Sequence, residues 1–311
     1  MTSDTSALLP ALAARAAHPE GGGVCRCGPV QTLADRPDAT VVRHAGTVAK
    51  AHAPETEEAE LGRRLATAAA LPDVLLAPLA PTATPLHGRL VTFWPYGAPV
   101  DPDDPEAAPW EAAATLLARL HRTAPPIGLP PMRGPAKAAR AVARLRAAAT
   151  DGEDPAMAPI LRAWAALPAW ARAEAPMPCT PSLCHGDLHL GQLVRHPAPD
   201  GPWRLIDVDD LGVGVPAWDL ARPAAWFACG LLPPDEWTRF LTAYRNAGGP
   251  AVPPDGDPWP ALDVAARALT VQTAATALAK ALTAGRPLDE VEQDVVDACA
   301  RMTSVPAQLT H

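Results

Sequence analysis

The eight residues from His185 to Gln192 read HGDLHLGQ, and fifteen positions past Gln192 the apolar run RLI ends in Asp207, the first acid of DVDD. A carboxylate such as Asp187, in a short irregular stretch, can take a proton from a hydroxyl group. The amide oxygen of Gln192 can coordinate a hard cation such as Mg²⁺, and Asp207 at a strand end can add a carboxylate to the same ion. Mg²⁺ is commonly held by one or two protein ligands, with substrate phosphates completing its shell. Such a set suits phosphoryl transfer, in which positioning and charge neutralisation do most of the catalysis and an Asp accepts the nucleophile's proton. Singly these residues say less. His185 alone reads as a structural histidine, His189 as a structural residue or a metal ligand beside Asp187, and an Asp-rich loop as a solvated turn. The combination, continued by PAWDLA at 216–221, is what points to chemistry.

The elements that would position these residues are legible in outline. Residues 7–17 suit a short helix, closed by the glycines of EGGG at 20–23. VQTLADRPDATVVRHAGTVAKAH reads as an antiparallel meander, with strands at 40–44 and 47–52 around the turn at Ala45–Gly46. PETEEAELGRRLATAAALP then opens a helix with acids in its first turn and Leu61 and Leu65 one turn apart. Further strands are expected at 74–80 and 89–94, and the acidic, proline-broken DPDDPE at 101–106 reads as a linker. Beyond it lie helices at 108–122, 135–149 and 157–175, strand-like pieces at PSLCHG and WRLIDVD, and a helical tail from 216 broken at 247–258. The expectation is an α+β protein with a small β-rich lobe over residues 1–98 and a larger, mainly helical lobe over 99–311.

With 311 residues the chain can bury two real cores. A net charge of −8 argues against a general nucleic-acid binder. No stretch approaches the length of an apolar membrane span and the N-terminus lacks a signal peptide's basic start, so a cytoplasmic protein is expected. The six cysteines lack the spacing of a zinc site, and Cys25 and Cys27 read as reduced thiols. Lysine is rare: Lys50, Lys137 and Lys280 are the only three, so each carries a little more information.

HGDLHLGQLV, RLIDVDDLGVGVP and AWDLARPAAW together resemble the catalytic core of the aminoglycoside phosphotransferase family. That family has a protein-kinase-like fold and includes sugar, choline and other small-molecule kinases. The likeness is close over about 183–228 and looser over about 40–100. It implies that Asp187 is the catalytic base, that His185 braces the loop, and that Gln192, where the family usually has Asn, and Asp207 hold Mg²⁺. Asp219 would hydrogen-bond the catalytic-loop backbone. Asp209 either faces the same metal or is a solvated turn acid. Lys50, in TVAKAH, resembles the strand lysine that holds the α- and β-phosphates of ATP or GTP. Its carboxylate partner is expected from the following helix, as Glu57 or Glu60. TFWPYG falls where the segment joining the lobes would meet adenine, with Trp94 and Tyr96 as ring contacts or plain core aromatics. No GxGxxG covers the phosphates, and GVGVP replaces the commoner Gly-Asp-Pro.

The resemblance implies a kinase of a small hydroxylated molecule, cationic in the case of an aminoglycoside-like antibiotic or an amino sugar, with no nucleic-acid or membrane partner. Alternatives are a kinase of a neutral sugar or another small metabolite, or a kinase-like binder without turnover. The acids Asp289, Glu290, Glu292, Asp294 and Asp297 would either attract an amine or form one solvated helix face.

Overall fold

The computed structural model describes residues 5–17, 27–149, 155–178 and 182–304. Cys25, Cys179 and the glycine run at 20–23 lie outside the described residues. In chain order the first elements are α1 (Thr5–Ala17), β1 (Gln31–Arg36), β2 (Ala39–His44), β3 (Thr47–Ala51), α2 (Glu58–Ala70), β4 (Thr84–Leu86), β5 (Arg89–Pro95) and β6 (Ala98–Pro99). There follow α3 (Trp110–Arg122), α4 (Gly134–Ala148), α5 (Met157–Ala165), β7 (Ser182–Cys184), β8 (Leu193–Arg195), β9 (Trp203–Leu205) and β10 (Gly212–Gly214). The helices α6 (Ala217–Cys229), α7 (Pro234–Asn246), α8 (Trp259–Ala284) and α9 (Glu290–Ser304) complete the order. The chain divides into two compact units, one of residues 1–108, 126–130 and 190–209, the other of 109–125, 131–189 and 210–311.

The first unit is built on an antiparallel sheet of order β1-β2-β3-β5-β4. Alternation along β2 and β3 sends Val42, Ala49 and Ala51 to one face, where Leu8, Leu12 and Ala16 of α1 cover them at helical spacing. Lys50 points to the opposite face, between Val41 of β2 and Thr92 of β5. A second sheet, β6-β8-β9, carries the segment between Gln192 and Asp207. The expected strand at 74–80 shrinks to a single parallel bridge, Leu75 with Leu205. Pro78 and Pro81 leave that stretch without the N–H groups a ladder needs.

The second unit is mostly helical. α8 is apolar around much of its circumference and buries Leu262, Ala266, Leu269, Ala275 and Leu278. α4, α6 and α9 pack on it, and α3 packs on α7. The short antiparallel pair β7 and β10 joins Cys184 to Gly212 and so frames His185. The expected helix at 157–175 ends at Ala165, because Pro168 follows and residues 169–174 close into turns.

Leu12 is fully buried between α1 and the sheet. Leu12→Ala should destabilise the first unit by about 2–5 kcal/mol in urea unfolding. An unchanged midpoint would show that α1 does not brace the sheet.

Candidate active site

In the first unit, residues far apart in sequence converge around Lys50. Its ammonium lies 2.7 Å from Asp207 Oδ1 and 2.9 Å from Asp209 Oδ2. Burial pulls this lysine's pKa down, but the two carboxylates outweigh it and hold the group firmly charged. The same pairing holds Asp209 well below the usual carboxylate range against the push of burial, with His52 contributing. His52 is fully buried, with Nδ1 at 2.8 Å from Asp209 Oδ1 and Nε2 at 2.8 Å from Thr92 Oγ1. Thr92 also accepts from Trp94 Nε1 at 2.9 Å. A line of polar contacts therefore runs from Trp94 through Thr92, His52 and Asp209 to Lys50.

Asp207 adopts φ 65°, a left-handed conformation that a non-glycine residue rarely takes. Such strain gathers at functional positions. Gln192 is buried, its side-chain Nε2 3.5 Å from Asp207 Oδ2, and its backbone carbonyl accepts from Ile206 N–H at 2.9 Å. The two chain segments are thereby held side by side. A cavity of about 340 Å³ opens here, lined by Val41, Val48, Leu76, Trp94, Val194 and Ile206 together with Lys50, Gln192, Asp207 and Asp209. Tyr96 lines it too, with the Arg43 guanidinium carbon 3.3 Å above its ring. Gly97 has no room for a side chain: a Cβ there would lie 2.5 Å from Val194 Cγ2.

Glu57 and Glu60, the helix acids expected against Lys50, stand otherwise. Glu57 is the residue preceding α2, and Glu60 accepts from Arg64 one turn along. Lys50 meets Asp207 and Asp209 of DVDD in their place.

In the second unit, Asp219 is almost completely buried in the first turn of α6. It accepts from His185 N–H at 2.6 Å and Gly186 N–H at 2.7 Å. Its Oδ2 also lies 2.9 Å from His121 Nε2, and His121 Nδ1 lies 2.7 Å from the Tyr244 hydroxyl. A carboxylate only accepts, so Nε2 carries the proton and Nδ1 accepts from Tyr244, whose oxygen accepts in turn from Ala251 N–H at 3.0 Å. His121, Cys184 and Asp219 form a buried cluster of ligand-type atoms. These hydrogen bonds already use both histidine nitrogens, and the thiol donates to Ser182 O at 3.6 Å.

Gly186 has φ +87°, and a Cβ there would lie 2.4 Å from the carbonyl oxygen of Asp210. Only glycine fits the turn that presents Asp187. Asp187 then meets two cations: Lys137 Nζ at 2.5 Å from Oδ2, and Arg222 Nη2 at 3.0 Å from Oδ1. Lys137 also reaches Asp210 at 2.8 Å. Burial pushes the Asp187 carboxyl up, but Lys137 and Arg222 prevail and hold it below the usual range. His189, chiefly through burial, is lowered to about 4 and is neutral at pH 7.

Sequence reading missed Lys137, Arg222 and His52. Lysine's rarity was the one signal for Lys137; Arg222 and His52 sit in quoted motifs, but their partners are set by tertiary folding. The α9 acids are engaged locally: Glu292 pairs with Arg286 at 2.7 Å, Asp289 accepts from Glu292 N–H, and Asp297 accepts from Gln293.

A model of the phosphotransferase enzyme family matches residues 30–264, and the chain belongs to that family. No curated protein matches the sequence closely. Among solved structures, a choline/ethanolamine kinase family protein from Mesorhizobium loti aligns over 96% of both chains at 19% identity, with a TM-score of 0.57. A spectinomycin phosphotransferase bound to ADP and spectinomycin aligns over 90% of both at 14% identity and TM-score 0.56. A macrolide 2'-phosphotransferase from Brachybacterium faecium covers 97% of this chain and 98% of its own at 23% identity and TM-score 0.51. The fold is the kinase-like α+β fold of these enzymes, and the chain is a member of the phosphotransferase enzyme family. Among the described residues no helix is long and apolar enough to cross a membrane.

Asp219→Ala would leave two buried backbone N–H groups and His121 without their acceptor. It should cost about 3–5 kcal/mol in equilibrium unfolding of the whole chain. A loss below about 1 kcal/mol, the scale of an ordinary hydrogen bond, would contradict the network.

Proposed function

We propose that the chain transfers the γ-phosphoryl group of ATP or GTP to a hydroxyl of a small hydroxylated amine, an aminoglycoside-like antibiotic or an amino sugar. The observation that carries the reading is the convergence of Lys50, Asp207, Asp209 and Gln192 in the lining of a mostly apolar cavity in the first unit. The apolar walls suit a nucleobase, with Trp94 and Tyr96 as its ring contacts, and Lys50 suits the α- and β-phosphates.

The oxygen donors Asp207, Asp209 and Gln192 fit Mg²⁺, which prefers oxygen and needs few protein ligands. When bound, Mg²⁺ supplies charge neutralisation of the nucleotide's phosphates. Asp187 orients the acceptor hydroxyl and takes its proton as the new O–P bond forms and the γ-phosphorus parts from the β-phosphate oxygen. The products are a phosphate monoester, the nucleoside diphosphate and one proton. Asp219 holds the His185–Gly186 backbone, so the neighbouring Asp187 enters the reaction already oriented.

The acceptor class rests on chemistry common to the neighbours' substrates. Choline, ethanolamine, spectinomycin and hygromycin B each combine a hydroxyl with an amine or quaternary ammonium nitrogen, and the similar structures are named for acting on or binding them. The α9 acids lend this no support, because most of them serve their own helix.

Labelled ATP incubated with spectinomycin, hygromycin B, a macrolide, glucosamine, choline and maltose should give a phosphate ester with at least one of the amines. Transfer to maltose alone would favour the neutral-sugar alternative. With the accepted substrate, Asp187→Asn should lower turnover by about 10²–10⁴-fold while calorimetry shows ATP still bound. Wild-type turnover in that variant would remove Asp187 from the mechanism. Asp207→Ala should abolish the Mg²⁺ dependence of ATP affinity, and an unchanged dependence would remove Asp207 from the metal site.

A further inference from the structure

The loop that carries Asp187 is held by α4, an element the family motifs do not reach. Arg133 N–H, just before α4, donates to the Asp210 carbonyl at 3.2 Å. One turn later Lys137 places its ammonium against Asp187 Oδ2 and Asp210 Oδ2, at 2.5 and 2.8 Å. The Asp210 carbonyl also occupies the space a side chain at Gly186 would need. The first turn of α4, Asp210 and the Gly186–Asp187 turn therefore form one packed unit around a single ammonium.

Arg222 approaches differently. Its Nε donates to Leu188 O at 3.0 Å and its Nη2 to Asp187 Oδ1 at 3.0 Å, so it is fixed to the loop itself. It has no second carboxylate among these contacts, whereas Lys137 is shared between two. Sharing matters when Asp187 takes a proton. A cation paired only with Asp187 loses its counter-charge at that moment and opposes the transfer. A cation also paired with Asp210 keeps one.

We propose that Lys137 and Asp210 are positioning residues for phosphoryl transfer: Lys137 aims Asp187 and keeps it ionised for the acceptor hydroxyl, and Asp210 retains the lysine's charge when Asp187 takes the proton. The inference rests on the proposed role of Asp187. The charged or titratable groups facing Asp187 are Lys137 from α4, Arg222 from α6 and His189 from its own loop, with Asp210 reached through Lys137. His189 is neutral near pH 7, so two cations and one further carboxylate set the balance.

The two partners should act on the acid limb of turnover with different signs. Asp187 must be ionised, and its folded-state pKa is depressed, so activity falls as pH drops through that depressed value. Lys137→Met removes a cation and leaves burial opposed by Arg222, so the limb moves to higher pH. Asp210→Asn removes a competing carboxylate, draws Lys137 more strongly to Asp187, and leaves the limb in place or moves it lower. Both variants should still lower kcat at neutral pH, because one misaims the base and the other weakens it. A misplaced reacting group costs about 10²-fold.

The test uses the full chain, Mg²⁺–ATP and whichever of spectinomycin, hygromycin B, a macrolide, glucosamine or choline it phosphorylates, with kcat and the KM for ATP followed from pH 3 to 9 for wild type, Lys137→Met, Lys137→Arg and Asp210→Asn. The expected result is a kcat about 10²-fold lower at pH 7 in Lys137→Met with its acid limb raised, substantial rescue by Lys137→Arg, a lower kcat without a raised limb in Asp210→Asn, and little change in KM. An acid limb unmoved in Lys137→Met, or raised in Asp210→Asn, overturns the inference. Should Lys137→Met fail to fold, Lys137→Gln, which also removes the cation, carries the same expectation and the same overturning result. A wild-type chain that forms a phosphate ester with no member of the panel overturns the phosphotransfer reading and this inference together. An active wild type with Lys137→Met equal to it overturns this inference alone.

Discussion

One buried carboxylate sets the geometry of the second unit. Asp219 is 1% exposed, and a charge so placed is tolerable only if nearly all its lone pairs find donors. Two come from consecutive backbone N–H groups, at His185 and Gly186, and a third from His121. Consecutive N–H groups can point at one carboxylate only if the chain turns sharply, and Gly186, with its positive φ, makes that turn. The turn delivers Asp187 to Lys137 and Arg222. Tyr244 completes the network by fixing the histidine tautomer, and α6 contributes its first-turn dipole to the same carboxylate. The catalytic candidate is thus aimed by a set of hydrogen bonds in which it takes no part.

A different economy operates in the first unit. Polar side chains there share the lining of a mostly apolar cavity, and Lys50 is satisfied by two aspartates two residues apart. Asp209 is locked by His52, itself locked by Thr92. The strand lysine is therefore paired without help from α2. The left-handed backbone at Asp207 belongs to the same arrangement, since it lets Asp207 and Asp209 reach one ammonium from a single short segment.

Much of this was legible in the sequence, for identifiable reasons. HGDLHLGQ, DVDD and PAWDLA are local motifs whose residue types have few other joint explanations, so Asp187, Asp207 and Asp219 could be singled out. The β2–β3 hairpin followed from β-rich runs around Ala45–Gly46, and the C-terminal helices from their apolar spacing. What stayed hidden is what depends on long-range approach. Nothing local places Lys137 beside an aspartate fifty positions on, or His52 beside Asp209. Glu57 and Glu60 looked suited to Lys50 because helix acids near a strand lysine are a familiar pairing, yet Arg64 lies one turn from Glu60 and takes it. The strand expected at 74–80 failed because hydrophobicity was weighed ahead of the missing N–H groups of Pro78 and Pro81.

The central claim is that these residues serve phosphoryl transfer to a hydroxyl and not nucleotide binding alone. Phosphorus NMR of the full chain with Mg²⁺–ATP and a hydroxylated amine tests it most directly. The account predicts that the γ-phosphate signal declines while signals of a phosphate monoester and of ADP grow in equal amounts. An ATP spectrum unchanged across the whole panel of amines and sugars, or one that yields inorganic phosphate and never an ester, would contradict it.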